Sequence, residues 1–439
     1  MIQESILDKI LYNVKKLIPE SVFNFFQPAY HSLLAYAGAV IYGSPSKKLK
    51  VIGVTGTKGK STVVYLVAKL LAGSGKSVAA CGSLGFKIKD KEWPNTLKMT
   101  MPGRFRLQKL IAEAVKVGCE YFILEVTSEG IKQKRHLGIQ FDCAVFTNLH
   151  KEHIESHGSF EKYYQAKQEL FRRTQNIHVI NADDPHTALF ANFPAKHKIF
   201  YGLTKGDLVA DKLQSSPEGM SFELYGTCFN THLAGEFNVK NCLAALAVGA
   251  MYKIDLPSMK PAIESVKYIP GRMEFVQREP FNVVVDYAHT PDSLEAVYET
   301  FTRMTLVNKG HPCKLICVLG AAGGGRDKWK RPEFGRIAAE YCDEIILTNE
   351  DPYDEIPEKI IEEIFSGISS SLKSQNFKVH KVIDRKEAIK MALTLANTGD
   401  TAIITGKGSE TSMAISGNKK ISWSDKEVVC FFIDSIKSK

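Results

Sequence analysis

From Lys50 onward, short apolar runs rich in Val and Ile alternate with stretches of helical periodicity, the pattern of parallel α/β architecture. In the first half, Leu49–Thr55, Glu120–Val126, Ala144–Asn148 and His178–Asn181 predict strands. Helices are predicted over Ser61–Leu71, Arg104–Val117, Phe160–Arg173 and Asn238–Tyr252, the last with small residues suited to close packing. A Pro-Gly pair in "YIPGRMEFV" (Tyr268–Val276) breaks the pattern, and a second series begins. Its strands are Asn282–Asp286, Lys314–Leu319, Glu344–Thr348, Lys378–Ile383 and Thr401–Thr405, an alternation that predicts a doubly wound sheet. The expected organisation is a helical N-terminal segment (1–48), a central α/β domain (49–269) and a C-terminal α/β domain (270–439), joined by a short hinge.

In the first segment, Ile6, Leu7, Ile10, Leu11, Val14, Leu17 and Ile18 recur at helical spacing. Val22–Tyr42 is more apolar, but Asn24, Gln27, Pro28 and His31 interrupt it, leaving too little to span a bilayer. A helical cap packed on the next domain is expected, with a weak peripheral membrane contact through 1–48 as the alternative.

Composition changes this picture little. The chain is 44% hydrophobic and 24% charged, as expected of a globular protein. A net charge of +9 would suit an anionic ligand, but Lys and Arg are spread along the whole chain, the mark of a solvated surface. No RNA-binding signature or basic-aromatic stripe occurs, so no nucleic-acid partner is expected. The nine cysteines, among them Cys81, Cys119, Cys143, Cys228, Cys313 and Cys317, form no C-x-x-C pair. Most lie in apolar runs and read as reduced core thiols; with no secretory signal at the start, a cytoplasmic location is expected.

The chemistry concentrates at "VIGVTGTKGKST" (Val51–Thr62). A strand pattern leads into a loop with Gly56, Gly59 and Lys60, and a helix follows. That is the setting in which exposed amides and a cation hold phosphates, although Val54 stands where the usual G-x-x-x-x-G-K-[ST] pattern has glycine. Lys60 is expected to reach the β/γ oxygens of ATP and Ser61 to hold Mg²⁺.

"GTKGKST" resembles the GT-x-GK-[ST] loop of the Mur ligase superfamily, ATP-dependent enzymes that join an amino acid to a carboxylate. Further segments occur in family order: "EVTSEG" (Glu125–Gly130), "TNLHKEHIESHGSFEKYYQAKQELF" (Thr147–Phe171), "GEFNVKNCLAALA" (Gly235–Ala247), "PGRMEF" (Pro270–Phe275), "DYAHTPDSLE" (Asp286–Glu295), "GRDKWKRPEFG" (Gly325–Gly335) and "GKGSE" (Gly406–Glu410). "DYAHTPDSLE" and "GKGSE" are most similar to the tripeptide-synthetase branch, which adds the third residue of the peptidoglycan stem peptide. The resemblance implies a P-loop-type central ATPase domain plus a C-terminal Rossmann-like α/β domain, and a monomer acting on a nucleotide-sugar peptide and an amino acid.

Carried over residue by residue, the resemblance assigns ATP to Gly56, Thr57, Lys58, Gly59, Lys60, Ser61, Thr62, Asn241, Arg272, Asp286 and His289. It assigns two magnesium ions to Ser61, Glu125, His153 and Lys167, with Lys167 as N6-carboxylysine, since an unmodified ammonium would repel the metal. Thr100, Thr127 and Ser128 fall to the acceptor, and Arg326, Glu350, Asp351, Gly406 and Glu410 to the incoming amino acid, whose α-carboxylate suits the guanidinium of Arg326. Read from spacing alone, His150, His153 and His157 suggest zinc, but they have no cysteine partner and no H-E-x-x-H arrangement.

The chain departs from the family in three places. About fifty residues precede the loop, where the family has a domain that grips UDP. "TNEDPYDEIP" (Thr348–Pro357) has Tyr353 where diaminopimelate-adding members carry arginine, with Asp354 and Glu355 following. That acidic pocket favours a lysine-like diamine over diaminopimelate. Glu129 and Ser409 replace histidines, and Glu152 and Glu155 replace aspartates. The expected activity is an amide ligation through an acyl phosphate onto a UDP-MurNAc-dipeptide or related acceptor. The alternatives are a folylpolyglutamate synthase-like ligase and a non-ligating ATP-binding partner in cell-wall metabolism.

Overall fold

The computed structural model describes residues 20–437 except 98, 153, 217, 308–312, 326, 371–376 and 418. The periodic apolar positions at 6–18 therefore lie outside the described residues. Helix α1 (Glu20–Ile41) opens the described chain, and a 3-10 turn (Pro45–Lys48) leads into strand β1 (Lys50–Thr55).

β1 lies inside a nine-stranded sheet with β2 (Val78–Gly82), β3 (Gly85–Ile88), β4 (Lys91–Trp93), β5 (Tyr121–Glu125), β6 (Cys143–Phe146), β7 (Ile177–Asn181), β8 (His197–Gly202) and β9 (Leu208–Val209). Their order is β4-β3-β2-β5-β1-β6-β7-β8-β9; β2 to β4 form an antiparallel edge, and the rest are parallel. The chain order reverses at β1, between β5 and β6, which opens a crevice at their C-terminal ends.

Strand alternation in β1 feeds two cores. Ile52 and Val54 pack with Leu66, Val67 and Leu70 of α2 (Lys60–Gly73). Val51 packs on the opposite face with Leu107 and Ile111 of α3 (Arg104–Lys116) and Leu170 of α5 (Phe160–Arg173), which follows a short helix α4 (Ser128–Lys132). Gly53 shares that second face; a Cβ there would come within 2.7 Å of Leu170 Cδ1, so the strand needs a residue without one.

A three-stranded meander of β10 (Asp211–Ser216), β11 (Gly219–Leu224) and β12 (Thr227–Thr231) precedes α6 (Glu236–Met251) and α7 (Leu256–Glu264). Beyond them the chain enters a six-stranded sheet of β13 (Glu274–Gln277), β14 (Asn282–Asp286), β15 (Leu315–Leu319), β16 (Glu344–Leu347), β17 (Lys378–Lys381) and β18 (Thr401–Thr405). The order is β13-β14-β18-β15-β16-β17, with only β13 antiparallel. Helices α8 (Pro291–Val307), α9 (Lys330–Tyr341) and α10 (Pro357–Ser370) cover one face, and α11 (Arg385–Leu395) and α12 (Asp425–Lys437) the other. A hairpin, β19 (Ser412–Ile415) with β20 (Lys419–Ser422), lies between β18 and α12. Arg385 and Asp425, both almost fully buried, join α11 to α12 through two hydrogen bonds of 2.8 and 2.7 Å.

The expected strands and helices are present to within a few residues at their ends. The hairpins at β2–β4 and β10–β12 were not expected from the apolar pattern. The tight turn between β11 and β12 is made by Tyr225 (φ 48°) and Gly226 (φ 78°), a pair that carries little of the usual Asn-Gly signal. Three cysteines depart from the reading of most of them as reduced core thiols. Cys317 of β15 is disulfide-bonded to Cys342, which ends the helix before the neighbouring strand β16, and Cys228 is exposed.

Candidate functional site

The loop after β1 is pinned from below by the strand beside it. Thr57 N donates to Asn148 O at 2.8 Å, Lys58 N to Asn148 Oδ1 at 2.8 Å, and Thr147 Oγ1 to Lys58 O at 2.6 Å. Gly56 (φ 149°) lies so close to Thr147 that a Cβ would come within 1.9 Å of its hydroxyl. Gly59 (φ 78°) caps α2 without a side-chain bond, and a Cβ there would come within 2.4 Å of Asn241 Oδ1 from α6. The first N–H groups of α2 are left for an anion, with Lys60 held above them by Thr57 O at 2.8 Å.

Beside this helix start, Ser61 Oγ donates to Glu125 Oε1 at 3.1 Å. Glu125 ends β5 and is 3% exposed; its other oxygen accepts from Ser83 N (2.8 Å) and Ser83 Oγ (3.0 Å). Lys167 of α5 is 2% exposed, and its Nζ donates to Gly56 O at 2.6 Å. Burial, with the Lys60 charge behind it, holds this ammonium well below the usual lysine range. Ser61 and Glu125 together present hydroxyl and carboxylate oxygen, the donor chemistry a magnesium ion takes. His153 lies outside the described residues. Its neighbours His150 and His157 go separate ways, to Asp292 (3.6 Å) and Ser128 Oγ (3.2 Å).

Across the cleft, β14 ends at Asp286, whose oxygens accept from Met273 N and Ala288 N, both at 2.6 Å. Burial raises its pKa. Arg272 stacks on the Tyr287 ring, 4.2 Å from its centroid. His289 Nδ1 donates to Tyr287 O at 2.7 Å, which leaves Nε2 facing Glu152 at 3.5 Å. Glu152, nearly buried, also draws Lys58 (3.2 Å) and Lys330 (4.0 Å), so one carboxylate ties cations from both domains together. Burial, offset in part by Glu152, lowers the Lys58 pKa to about 8. Asp327 N donates to Glu155 Oε2 at 2.7 Å, a second bridge across the cleft.

At the far end of the C-terminal sheet, Glu350 is 5% exposed, and its Oε2 has no hydrogen-bond partner. It lies against Gly406 (φ 108°), where a Cβ would come within 2.5 Å of that oxygen. Burial pushes the carboxyl up to about 7. The other acids there are mated. Asp351 and Glu410 both accept from the buried Lys407, Glu355 accepts from Arg331 at 3.0 Å, and Asp354 accepts from Gly417 N at 2.8 Å. Asp354 and Glu355 do not line the cleft; Glu350, Asp351 and Glu410 do, and of these Glu350 has a buried oxygen without a hydrogen-bond partner. Arg326 lies outside the described residues.

These elements enclose one continuous cleft of about 1010 Å³. It is lined by Thr57 to Thr62, Thr100, Glu125, Thr127, Ser128, Asn241, Arg272, Asp286, His289, Glu350, Asp351, Gly406 and Glu410. Gly56 and Lys167 lie behind the loop rather than on the surface of the cleft. Thr127 Oγ1 caps α4 by accepting from Gly130 N at 3.0 Å. Glu129 accepts from Gln133 (2.6 Å) and Ser156 (3.2 Å).

Several lining residues escaped the sequence reading: Gln133, Arg135, Asn148 and Lys330. Arg135 is 7% exposed and donates to Met101 O at 2.5 Å. Asn148 and Lys330 stand inside quoted motifs and were available from them; Arg135 has no local spacing to mark it.

Comparison with known proteins agrees with this geometry. Residues 54–249 match a family described as the Mur ligase middle domain, and residues 271–408 match one described as the Mur ligase glutamate ligase domain. The chain is 37% identical over 411 residues to a UDP-N-acetylmuramoyl-L-alanyl-D-glutamate–2,6-diaminopimelate ligase of Clostridium acetobutylicum, covering 92% of this chain and 82% of that protein. It is 34% identical over 414 residues to a UDP-N-acetylmuramyl-tripeptide synthetase of a Roseiflexus species, covering 89% and 80%. A solved diaminopimelate ligase superposes with a TM-score of 0.61 at 32% identity, over 89% of this chain and 79% of its own.

Proposed function

The chain belongs to the Mur ligase family of ATP-dependent acid–amino-acid ligases, and we propose that it joins an amino acid with a cationic side chain to a muramyl-dipeptide carboxylate in peptidoglycan precursor synthesis. One observation carries the reading. A phosphate-type loop with Lys60, Ser61 and Glu125 opens into the same cleft as a buried, unmated carboxylate, Glu350.

A carboxylate oxygen is a poor leaving group, so it must first be activated. An acceptor carboxylate oxygen bonds to the γ-phosphorus of ATP and ADP leaves; the incoming amine then bonds to the acyl carbon and inorganic phosphate leaves, the amine losing a proton. The reacting groups are anionic, so positioning and positive charge are what this chain supplies. The N-terminus of α2 and Lys60 hold the phosphates; Asn241, Arg272, Asp286 and His289 hold the rest of the nucleotide between the domains. Thr100, Thr127, Ser128, Gln133 and Arg135 hold the acceptor. Magnesium would be held by Ser61 at a first ion and by Glu125, His153 and Lys167 at a second, and would neutralise phosphate charge there.

Lys167 becomes N6-carboxylysine in this reading. Burial lowers its pKa and so favours the neutral amine, the form that adds to CO₂ with release of a proton. The product is an anion suited to a cation site.

Glu350 supports the cationic side chain. An ammonium brought to its free oxygen would satisfy that oxygen and ionise the group. The relatives named above favour a second reading, diaminopimelate, which also carries a distal ammonium. The domain division 1–48, 49–269 and 270–439 is part of the proposal. Phosphate release with ATP, Mg²⁺ and UDP-MurNAc-L-Ala-D-Glu, across lysine, ornithine, diaminopimelate and glutamate with products weighed by mass spectrometry, tests it. A lysine or ornithine product is expected; a diaminopimelate product keeps the ligase and removes the diamine preference.

A further inference from the structure

Helix α1 is built inside out. Its buried positions are small: Ala35 (0% exposed), Gly38 and Ala39 (4%). Its large apolar side chains face outward: Phe26 is 59% exposed, Leu33 68%, Tyr36 50%, Val40 74% and Ile41 67%. At 100° per residue, Phe26, Leu33, Tyr36 and Val40 fall within one arc of about 80°, opposite Ala35. Small residues let the helix lie close on its neighbours: Gly38 abuts Phe105 and Gln108 of α3, and Gly138 abuts Ala35 and Ala39. A helix held only by its own core would put its large residues inward. Among the described residues, fourteen large hydrophobic side chains are exposed, and five of them are on this one helix.

Charge indicates what covers the stripe. No Asp, Glu, Lys or Arg occurs from Ser21 to Ile41. Glu20 opens the helix with Lys15 and Lys16 before it in the sequence, and the exposed Lys47 and Lys48 follow in the 3-10 turn. An uncharged apolar stripe followed by the exposed Lys47 and Lys48 complements an anionic lipid surface, with apolar side chains entering the acyl boundary and ammonium groups meeting the headgroups. Among the described residues no helix is long and apolar enough to cross a membrane, so the contact is one face deep.

We infer that α1 seats this protein peripherally on an anionic membrane surface through Phe26, Leu33, Tyr36 and Val40. The helix backs onto α3 and the 133–138 turn, the wall that carries Gln133 and Arg135 of the cleft. The surface therefore lies on the acceptor side of the protein. The inference rests on α1 and the lysines of the turn after it, and stands whether or not the ligation proposed above is correct.

The test is co-sedimentation of the full chain with vesicles of phosphatidylglycerol and phosphatidylcholine, beside vesicles of phosphatidylcholine alone. Binding to the anionic vesicles, weakened by salt and reduced at least about tenfold in a Leu33→Glu/Val40→Glu variant, is expected. Lys47→Glu/Lys48→Glu should reduce it further without altering ATP turnover. Three outcomes overturn the inference. One is no binding to the anionic vesicles, or binding that the double variant leaves unchanged. Another is concentration-dependent self-association of the wild type that the variant abolishes, which would assign the stripe to a second copy. The third is a large loss of thermal stability in the variant, which would assign it to the chain's own first nineteen residues.

Discussion

The Nζ of Lys167 lies 2.6 Å from the carbonyl oxygen of Gly56, so a helix lysine more than a hundred residues along the chain buttresses the phosphate loop. The same burial lowers its pKa, which favours the amine form that the proposed carboxylation needs. Lys167→Met should lower ligation by on the order of 10²–10³-fold. Intact-protein mass spectrometry under bicarbonate should find one added CO₂ on the wild type and none on the variant. A variant of full activity would sink the assignment.

Lys60 is held over the start of α2 by Thr57 O. Lys60→Met should reduce phosphate release about 10²-fold or more while leaving the melting temperature close to wild type, because only its one hydrogen bond to Thr57 O is lost. A kinetic effect confined to KM for the amino acid would contradict its place on the phosphates.

Glu350 makes stability fall as pH rises. Its folded pKa, about 7, lies above the ordinary carboxylate value, so the unfolded chain ionises first. The fold loses stability from about pH 4.5 to 7 and nothing further above that from this group. Glu350→Gln should therefore raise stability at pH 8 by on the order of 1–3 kcal/mol and be neutral at pH 4. The same variant should lose preference for lysine over neutral amino acids. Urea melts at the two pH values decide the first point.

Tyr353, in the left-handed region at φ 51°, lies against Gly324. Tyr353→Arg should shift kcat/KM toward diaminopimelate by about tenfold, by offering a guanidinium to the distal carboxylate. No shift in the ratio would show that this position does not meet the side chain.

Arg385 and Asp425 form a bidentate pair that Trp423 Nε1 extends at 2.8 Å. Asp425→Ala should cost about 3–5 kcal/mol, since it strands a buried guanidinium. Denaturant unfolding measures it directly.

What the sequence made legible follows from range. β1 and the loop after it could be read because a buried parallel strand is a continuous apolar run and its glycines stand at fixed offsets. Asp286 and Glu350 were found because family motifs flank them. The mating of Glu355 with Arg331 could not be read, because the pair comes together only when α9 packs against the strand end. The Cys317–Cys342 bond, twenty-five residues apart, depends on the pairing of β15 with β16. Arg135 and Glu152 belong to the same class: their neighbours come from distant parts of the chain.

The knot around Glu152 changes what nucleotide binding means in this cleft. Lys58, His289 and Lys330 already surround one carboxylate. An arriving triphosphate would not add charge to bare cations; it would exchange one anion for another. Part of its attraction is spent on displacing Glu152, so the apparent affinity reports a difference between two partners. Salt, which screens both, should move that affinity less than the number of cations would suggest.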